Sequence, residues 1–193
     1  MGRGFALLLA AAVMGGQSPA AGLAVACAGA QPGATPAASA PATVSVPLPV
    51  PAGRHVLVNG LLGAAEWDSS GVARLDGETE LRFHQDGGSL YLAIVFLGPR
   101  HTGVDLYLRS DDATRMLHVS SALGERTRQD GVWSETAWGR NVWWTANTIG
   151  SIVEDGRQRW LEPEAFEFQV DRRELGGEAA LFVHLKRPEK LLP

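Results

Sequence analysis

Cysteine is nearly missing from this chain: Cys27 stands alone, so no internal disulfide can form. Charge is nearly missing from residues 1–52, which carry Arg3 and no acid. The apolar run Phe5 to Met14 is too short for a comfortable membrane span. No basic stripe emerges either. All 21 acids and all but one of the 17 lysines and arginines fall after residue 53, which leaves that part net acidic and argues against a nucleic-acid partner. A Gly-x-Ser-x-Gly elbow, a phosphate-binding glycine loop, a Cys-x-x-Cys-His attachment motif and the His-x-His or His-Glu-x-x-His zinc patterns are all lacking. Carboxylates for glycoside hydrolysis can lie far apart in sequence, so acids alone do not decide that chemistry. The length, however, leaves no room beyond a small sandwich. The expectation is a non-enzyme without metal or cofactor.

What the N-terminus does have is Arg3, then an apolar run, then small residues, which is the pattern of a secretory signal peptide over 1–26. Cys27 closes Leu23-Ala24-Val25-Ala26-Cys27. That phrase resembles the lipobox of bacterial lipoproteins, which implies lipidation of Cys27, although Ala24 stands where leucine is usual. Ordinary cleavage near Val25 or Ala26 is the competing reading. Either way the chain is expected outside the cytoplasm, in the periplasm or at the cell surface. Residues 27–53 are rich in Ala, Pro, Gly, Thr and Ser. They hold too few large apolar groups to offset ordering entropy, and read as a disordered Ala/Pro-rich linker.

Residues 54–193 read as one domain of short strands separated by Gly, Asp and Asn turns. Leu81 and Phe83 alternate with Glu80, Arg82 and His84, which predicts one wet face. In 89–97 both alternating sets are apolar, Leu90, Leu92, Ile94 and Phe96 against Tyr91, Ala93, Val95 and Leu97, which predicts a strand covered on both faces. Further strands are expected over 103–109, 115–120, 131–148, 166–171 and 181–186, with one helical turn over 172–175. The fold class is therefore all-β, a single antiparallel β-sandwich.

The phrase His55-Val56-Leu57-Val58-Asn59-Gly60, followed by Glu66-Trp67-Asp68, the strand 80–84 and then Leu90-Tyr91-Leu92-Ala93, resembles the opening of the family 9-like carbohydrate-binding modules and their DOMON-type relatives. Val104 to Leu108 resembles that family's acidic strand. Phe166 to Leu175 resembles its late strand and short helix, with Asp171 in place of a usual proline. The resemblance implies a sandwich and, in many members, sugar binding; other relatives bind haem. It also implies a core position for Trp67.

Tryptophan is abundant: Trp67, Trp133, Trp138, Trp143, Trp144 and Trp160. An indole offers a flat apolar surface to the C–H face of a pyranose, worth roughly 25 cal/mol per Å² buried. Trp143 and Trp144 are adjacent, so on a strand they face opposite sides. The candidate ligand-binding residues are Trp133, Trp138, Trp144 and Trp160, with Arg140, Asn141 and Asn147 for hydroxyl recognition; packing across a hairpin is the plain alternative. Asp111-Asp112 and Glu154-Asp155 read as solvated turn acids, since calcium needs six to eight spaced oxygens. Met116 and His118 share one strand face, so they cannot approach a haem from opposite sides. The pair reads as a core methionine beside an exposed histidine.

These observations predict non-catalytic binding of a saccharide or glycan at the bacterial cell envelope, with membrane attachment through a lipid on Cys27 as one route of anchoring. Two rivals are an envelope interaction or assembly protein without a sugar site, and a haem-binding electron-transfer domain.

Overall fold

A computed structural model describes residues 6–10, 46–110, 113–139, 141–175 and 178–186. Cys27, Arg140 and the Asp111-Asp112 pair lie outside them. The described chain is almost entirely β. Its strands are β1 (Ala6–Ala10), β2 (Val46–Pro49), β3 (Gly71–Arg74), β4 (Thr79–Asp86), β5 (Ser89–Phe96), β6 (Gly103–Arg109), β7 (Thr114–Val119), β8 (Leu123–Gln129), β9 (Val132–Trp133), β10 (Ala137–Trp138), β11 (Trp144–Ala146), β12 (Gly150–Glu154), β13 (Arg157–Leu161), β14 (Ala165–Asp171) and β15 (Glu178–Lys186). One helical turn, α1 (Ala64–Trp67), follows the Asn59-Gly60 turn, and a 3₁₀ turn occupies Arg172–Glu174.

Two sheets pack face to face. The larger runs β10-β8-β7-β6-β15-β1-β2, with β9 also on β8; the smaller runs β11-β14-β5-β4-β3. All pairings between named strands are antiparallel except β1 with β15. The core forms where the period-2 apolar sets meet: Val104, Leu106, Leu108, Leu117, Leu181 and Val183 from the larger sheet, and Leu81, Phe83, Leu90, Leu92, Ile94, Phe166 and Phe168 from the smaller. A separate two-stranded hairpin, β12–β13, stands outside both sheets.

The expected double cover on β5 is present, since Leu90 to Val95 are all buried. Its second layer is a local cluster of Val56, Trp67, Tyr91, Ala93, Val95 and Ala165, roofed by residues 52–67. That roof also corrects the wet face expected of β4. Glu80 and His84 are buried: the chain before α1 lies over His84, where a Cβ at Gly53 would sit 2.3 Å from the ring, and Glu80 is held between Arg74 and Arg82.

The expected linker boundary also shifts. Val46–Pro49 is a strand, Val50 joins the core, and the Gln85 N–H donates to Pro51 O at 2.9 Å while the Gly53 N–H donates to Gln85 O at 2.8 Å. Pro47 and Pro49 are tolerated because β2 is an edge strand, where a missing N–H costs no ladder bond. Five residues of the apolar run expected in a signal peptide, Ala6–Ala10, form β1 between β15 and β2. The strand structure expected across 131–148 consists of three short strands, β9, β10 and β11, with Gly139 at φ +105° between the last two.

Candidate functional site

The two outer faces of the sandwich differ in what they carry. On the smaller sheet the outer face is closed. Glu167 there accepts from the N–H groups of Asn59 (2.9 Å) and Gly60 (2.8 Å) and from Trp67 Nε1 (3.0 Å). Burial raises its pKa to about 6, outweighing those three donors. Gly60 must be glycine: its φ is +80° and a Cβ would lie 2.5 Å from Asn147 Nδ2. Asn147, 6% exposed, donates to Ala165 O and accepts the Glu167 N–H. It therefore ties the Asn-Gly turn to β14, which corrects its expected place in a ligand site. His84, between Trp67 and Tyr91, has its pKa lowered by burial and donates Nε2–H to Arg54 O at 2.8 Å.

The outer face of the larger sheet is open. Register places Trp138 opposite Gly124, Gly124 opposite His118, His118 opposite Asp105, and Asp105 opposite His184, in one row across four strands and β10. The next rows hold Arg126, Met116, Tyr107 and Phe182, then Arg128, Thr114 and Arg109 with Trp133 beside Arg128. Trp138 lies against Gly124: a Cβ there would meet the indole at 2.9 Å. The absence of a side chain at 124 lets the ring rest on the backbone. Trp138 is nevertheless 67% exposed, so it presents indole surface to solvent. His118 stands edge-on to it, with centroids 5.9 Å apart and planes at 88°. Trp133, half-buried, meets Tyr107 edge-on at 6.2 Å and lies under the Arg126 guanidinium at 5.5 Å.

Beside the platform runs a chain of polar groups. Asp105 Oδ1 is 2.6 Å from His118 Nδ1, and His118 Nε2 is 2.9 Å from Ser120 Oγ. Lys186 Nζ sits 3.0 Å and His184 Nδ1 3.5 Å from Asp105 Oδ2. A carboxylate that close to Nδ1 requires the proton between them, so Nδ1 is the donor, and in the neutral tautomer Nε2 accepts from Ser120. The order Ser-His-Asp matches that of a nucleophilic triad. Two features speak against that chemistry. The Ala122 N–H is aimed at Ser120 Oγ itself (3.5 Å), and Lys186 neutralises the carboxylate that would stabilise an imidazolium. The imidazoles also turn toward a carboxylate shared with an ammonium, an arrangement of donors around an acceptor, not of lone pairs around a cation. Among the described residues no group of His, Cys, Asp or Glu forms a metal site. Met116 lies on this outer face and not in the core, as the sequence had suggested, while His84 belongs to the other sheet.

The remaining candidates separate. Trp144 is 3% exposed and faces the core opposite Val170, which corrects its expected role as a platform. It and Trp143 both donate Nε1 to Glu125 Oε2, at 3.1 and 3.2 Å, and Asn141 Nδ2 joins them on the same oxygen. Trp143 is half-buried beneath the Arg115 guanidinium, 4.5 Å from its ring, and Arg115 pairs with Glu174. Trp143, Trp144 and Asn141 line an open cleft of about 330 Å³ with Ser89, Thr145 and Gln169. Trp160 is 63% exposed on the β12–β13 hairpin, diagonal to exposed Val153 and far in register from either sheet. Sequence reasoning missed the Asp105–His118–Ser120 chain, Gly124 and the inward Glu125. No short spacing marks them, since they meet only through strand register.

Comparison of the chain with family models, with curated proteins and with solved structures finds no match.

Proposed function

We propose that this domain binds a saccharide, without catalysing its conversion, on the open outer face of the larger sheet. The observation that carries the proposal is Trp138, seated on Gly124 and 67% exposed. An exposed indole backed by the sheet is a preorganised stacking surface for a sugar ring, because little rotamer freedom remains to be lost on binding. Ser120, His184 and Lys186 supply hydrogen-bonding groups at its edge. The resemblance of 55–108 and 166–186 to sugar-binding modules supports the same reading. With it goes the proposal that the chain is exported and held at the envelope, through a lipid on Cys27 or after ordinary cleavage; mass spectrometry of the mature N-terminus tells these apart.

The test is titration of mono- and oligosaccharides against wild type and Trp138→Ala. A buried hot-spot aromatic costs about 2 kcal/mol or more when removed, which is roughly a thirtyfold loss of affinity. The melting temperature should hold. A folded wild type that binds no saccharide in a broad screen removes the proposal. In that case the exposed Trp160 and Val153 on the β12–β13 hairpin favour the second reading, an interaction or assembly protein.

A further inference from the structure

The chain as a whole is acidic, with 21 acids against 17 lysines and arginines. The open face reverses that sign. Its outward positions on β6, β7, β8 and β15 carry Arg109, Arg126, Arg128 and Lys186 against two carboxylates, Asp105 and, at the far end of β15, Glu178. Lys186 is spent on Asp105 at 3.0 Å. Arg109, Arg126 and Arg128 form no ion pair among the described residues, whereas Arg82, Arg100, Arg115, Arg159 and Arg173 each face a carboxylate. Arg126 and Arg128 are instead pinned by Nε–H to the backbone carbonyls of Ser134 (3.0 Å) and Gly131 (3.1 Å). A carbonyl fixes a guanidinium without neutralising it. The Nη groups keep their charge and their donors, the arrangement suited to bidentate recognition of an oxyanion. Asp130 and Glu135 lie in the turns at the rim of this face, outside the strand rows.

The cations are also interleaved with the aromatics. Along β8 the outward positions run Gly124 under Trp138, then Arg126, then Arg128 opposite Trp133. The backbone positions paired with Trp138 and Trp133 lie four residues apart along β8, about 13–14 Å at roughly 3.4 Å per residue, with the Arg126 guanidinium between them over the Trp133 ring. An oligosaccharide spans that length, and its middle would cross Arg126.

Resting on the saccharide reading of this face, we infer that its ligand is an anionic oligosaccharide lying from Trp138 across Arg126 to Trp133, with its acidic groups on Arg126 and Arg128. Carboxylate and sulfate share this chemistry. A charged hydrogen bond of this kind is worth about a tenfold change in affinity.

The experiment is calorimetric titration of the full chain with an oligogalacturonate, an oligomannuronate, the carboxyl-reduced neutral form of each, a sulfated oligosaccharide and polyglutamate. Wild type, Arg126→Gln, Arg126→Lys and Trp138→Ala are compared, with melting temperatures as the control for folding. The expected result is that at least one acidic oligosaccharide binds tenfold or more tighter than its neutral form. That preference should collapse from about 0.1 M to about 1 M salt, where the Debye length falls from about 10 Å to about 3 Å. Arg126→Gln should erase the preference, Arg126→Lys should keep part of it, and Trp138→Ala should weaken both forms. Tighter binding of the sulfated chain than of the uronates assigns the anion as sulfate. Equal affinity for acidic and reduced forms, or binding of neutral forms alone, overturns the anionic ligand and leaves saccharide binding standing. Polyglutamate binding as tightly as any oligosaccharide, indifferent to Trp138→Ala, overturns both.

Discussion

The outer faces of the two sheets start from the same strand alternation and end as opposites. On the smaller sheet the polar positions His84 and Glu167 point outward and are then roofed by residues 52–67, so their hydrogen bonds serve the fold. On the larger sheet Asp105, His118 and Arg126 also point outward; Asp105 is buried beneath its partners, but Trp138 beside them is 67% exposed and Arg126 is only partly buried. A charged residue on a strand is thus structural or functional according to what covers it.

The contrast is broken most strongly by deleting the roof's anchor. Trp67 is 3% exposed and donates to buried Glu167, so Trp67→Ala should cost about 3–5 kcal/mol, read by chemical denaturation. Trp138→Ala on the open face should change stability by no more than about 0.5 kcal/mol. Equal costs for the two would show that the faces are not different in kind.

Next in size is a pH effect confined to the closed face. Glu167 has its pKa raised from 4.5 to about 6, so the fold binds that proton more tightly than the unfolded chain. Its contribution is complete below about pH 4.5 and is lost as pH rises through about 6, amounting to about 2 kcal/mol. Buried His84 acts with the opposite sign: its lowered pKa favours the fold above the ordinary histidine value of 6.5 and removes stability as pH falls below it. Wild type should therefore exceed Glu167→Gln in stability by about 2 kcal/mol more at pH 4 than at pH 7. The reverse slope would show that the three N–H donors outweigh burial. A carbon-13 titration of the Glu167 carboxyl reads the midpoint directly.

The smallest effect sharpens the open face. Gly124→Ala places a methyl 2.9 Å from the Trp138 ring, which must lift off the sheet. Because the ring is exposed, stability should move by less than about 1 kcal/mol. Saccharide affinity should fall severalfold as the platform loses its backing. An unchanged affinity would show that the indole binds without the sheet beneath it.

Much of the fold was legible in the chain. Two apolar sets in 90–95 demand cover on both faces, and burial of all six residues follows. The 3₁₀ turn after Asp171 was also marked, and the Asp171 carboxylate caps it at the Arg173 N–H, 2.9 Å away. β8 was not legible. Leu123-Gly124-Glu125-Arg126-Thr127-Arg128-Gln129 shows no alternation, because the inward Glu125 is bonded to two indole N–H groups instead of being replaced by an apolar residue. Nor did adjacency say which of Trp143 and Trp144 enters the core; the pairing of Trp144 with Val170 decided it.

The sequence by itself determined an all-β chain, its double-covered central strand and the wealth of tryptophan. Those properties are local: period, turn chemistry and composition act on residues a few positions apart. Tertiary structure alone decided which polar residues are roofed, that Trp138 rests on Gly124, and that Asp105, His118, Ser120 and Lys186 meet. Such contacts depend on cross-strand register and on the path of a covering loop, and both are settled by burying the whole apolar surface at once, not by any short stretch of chain.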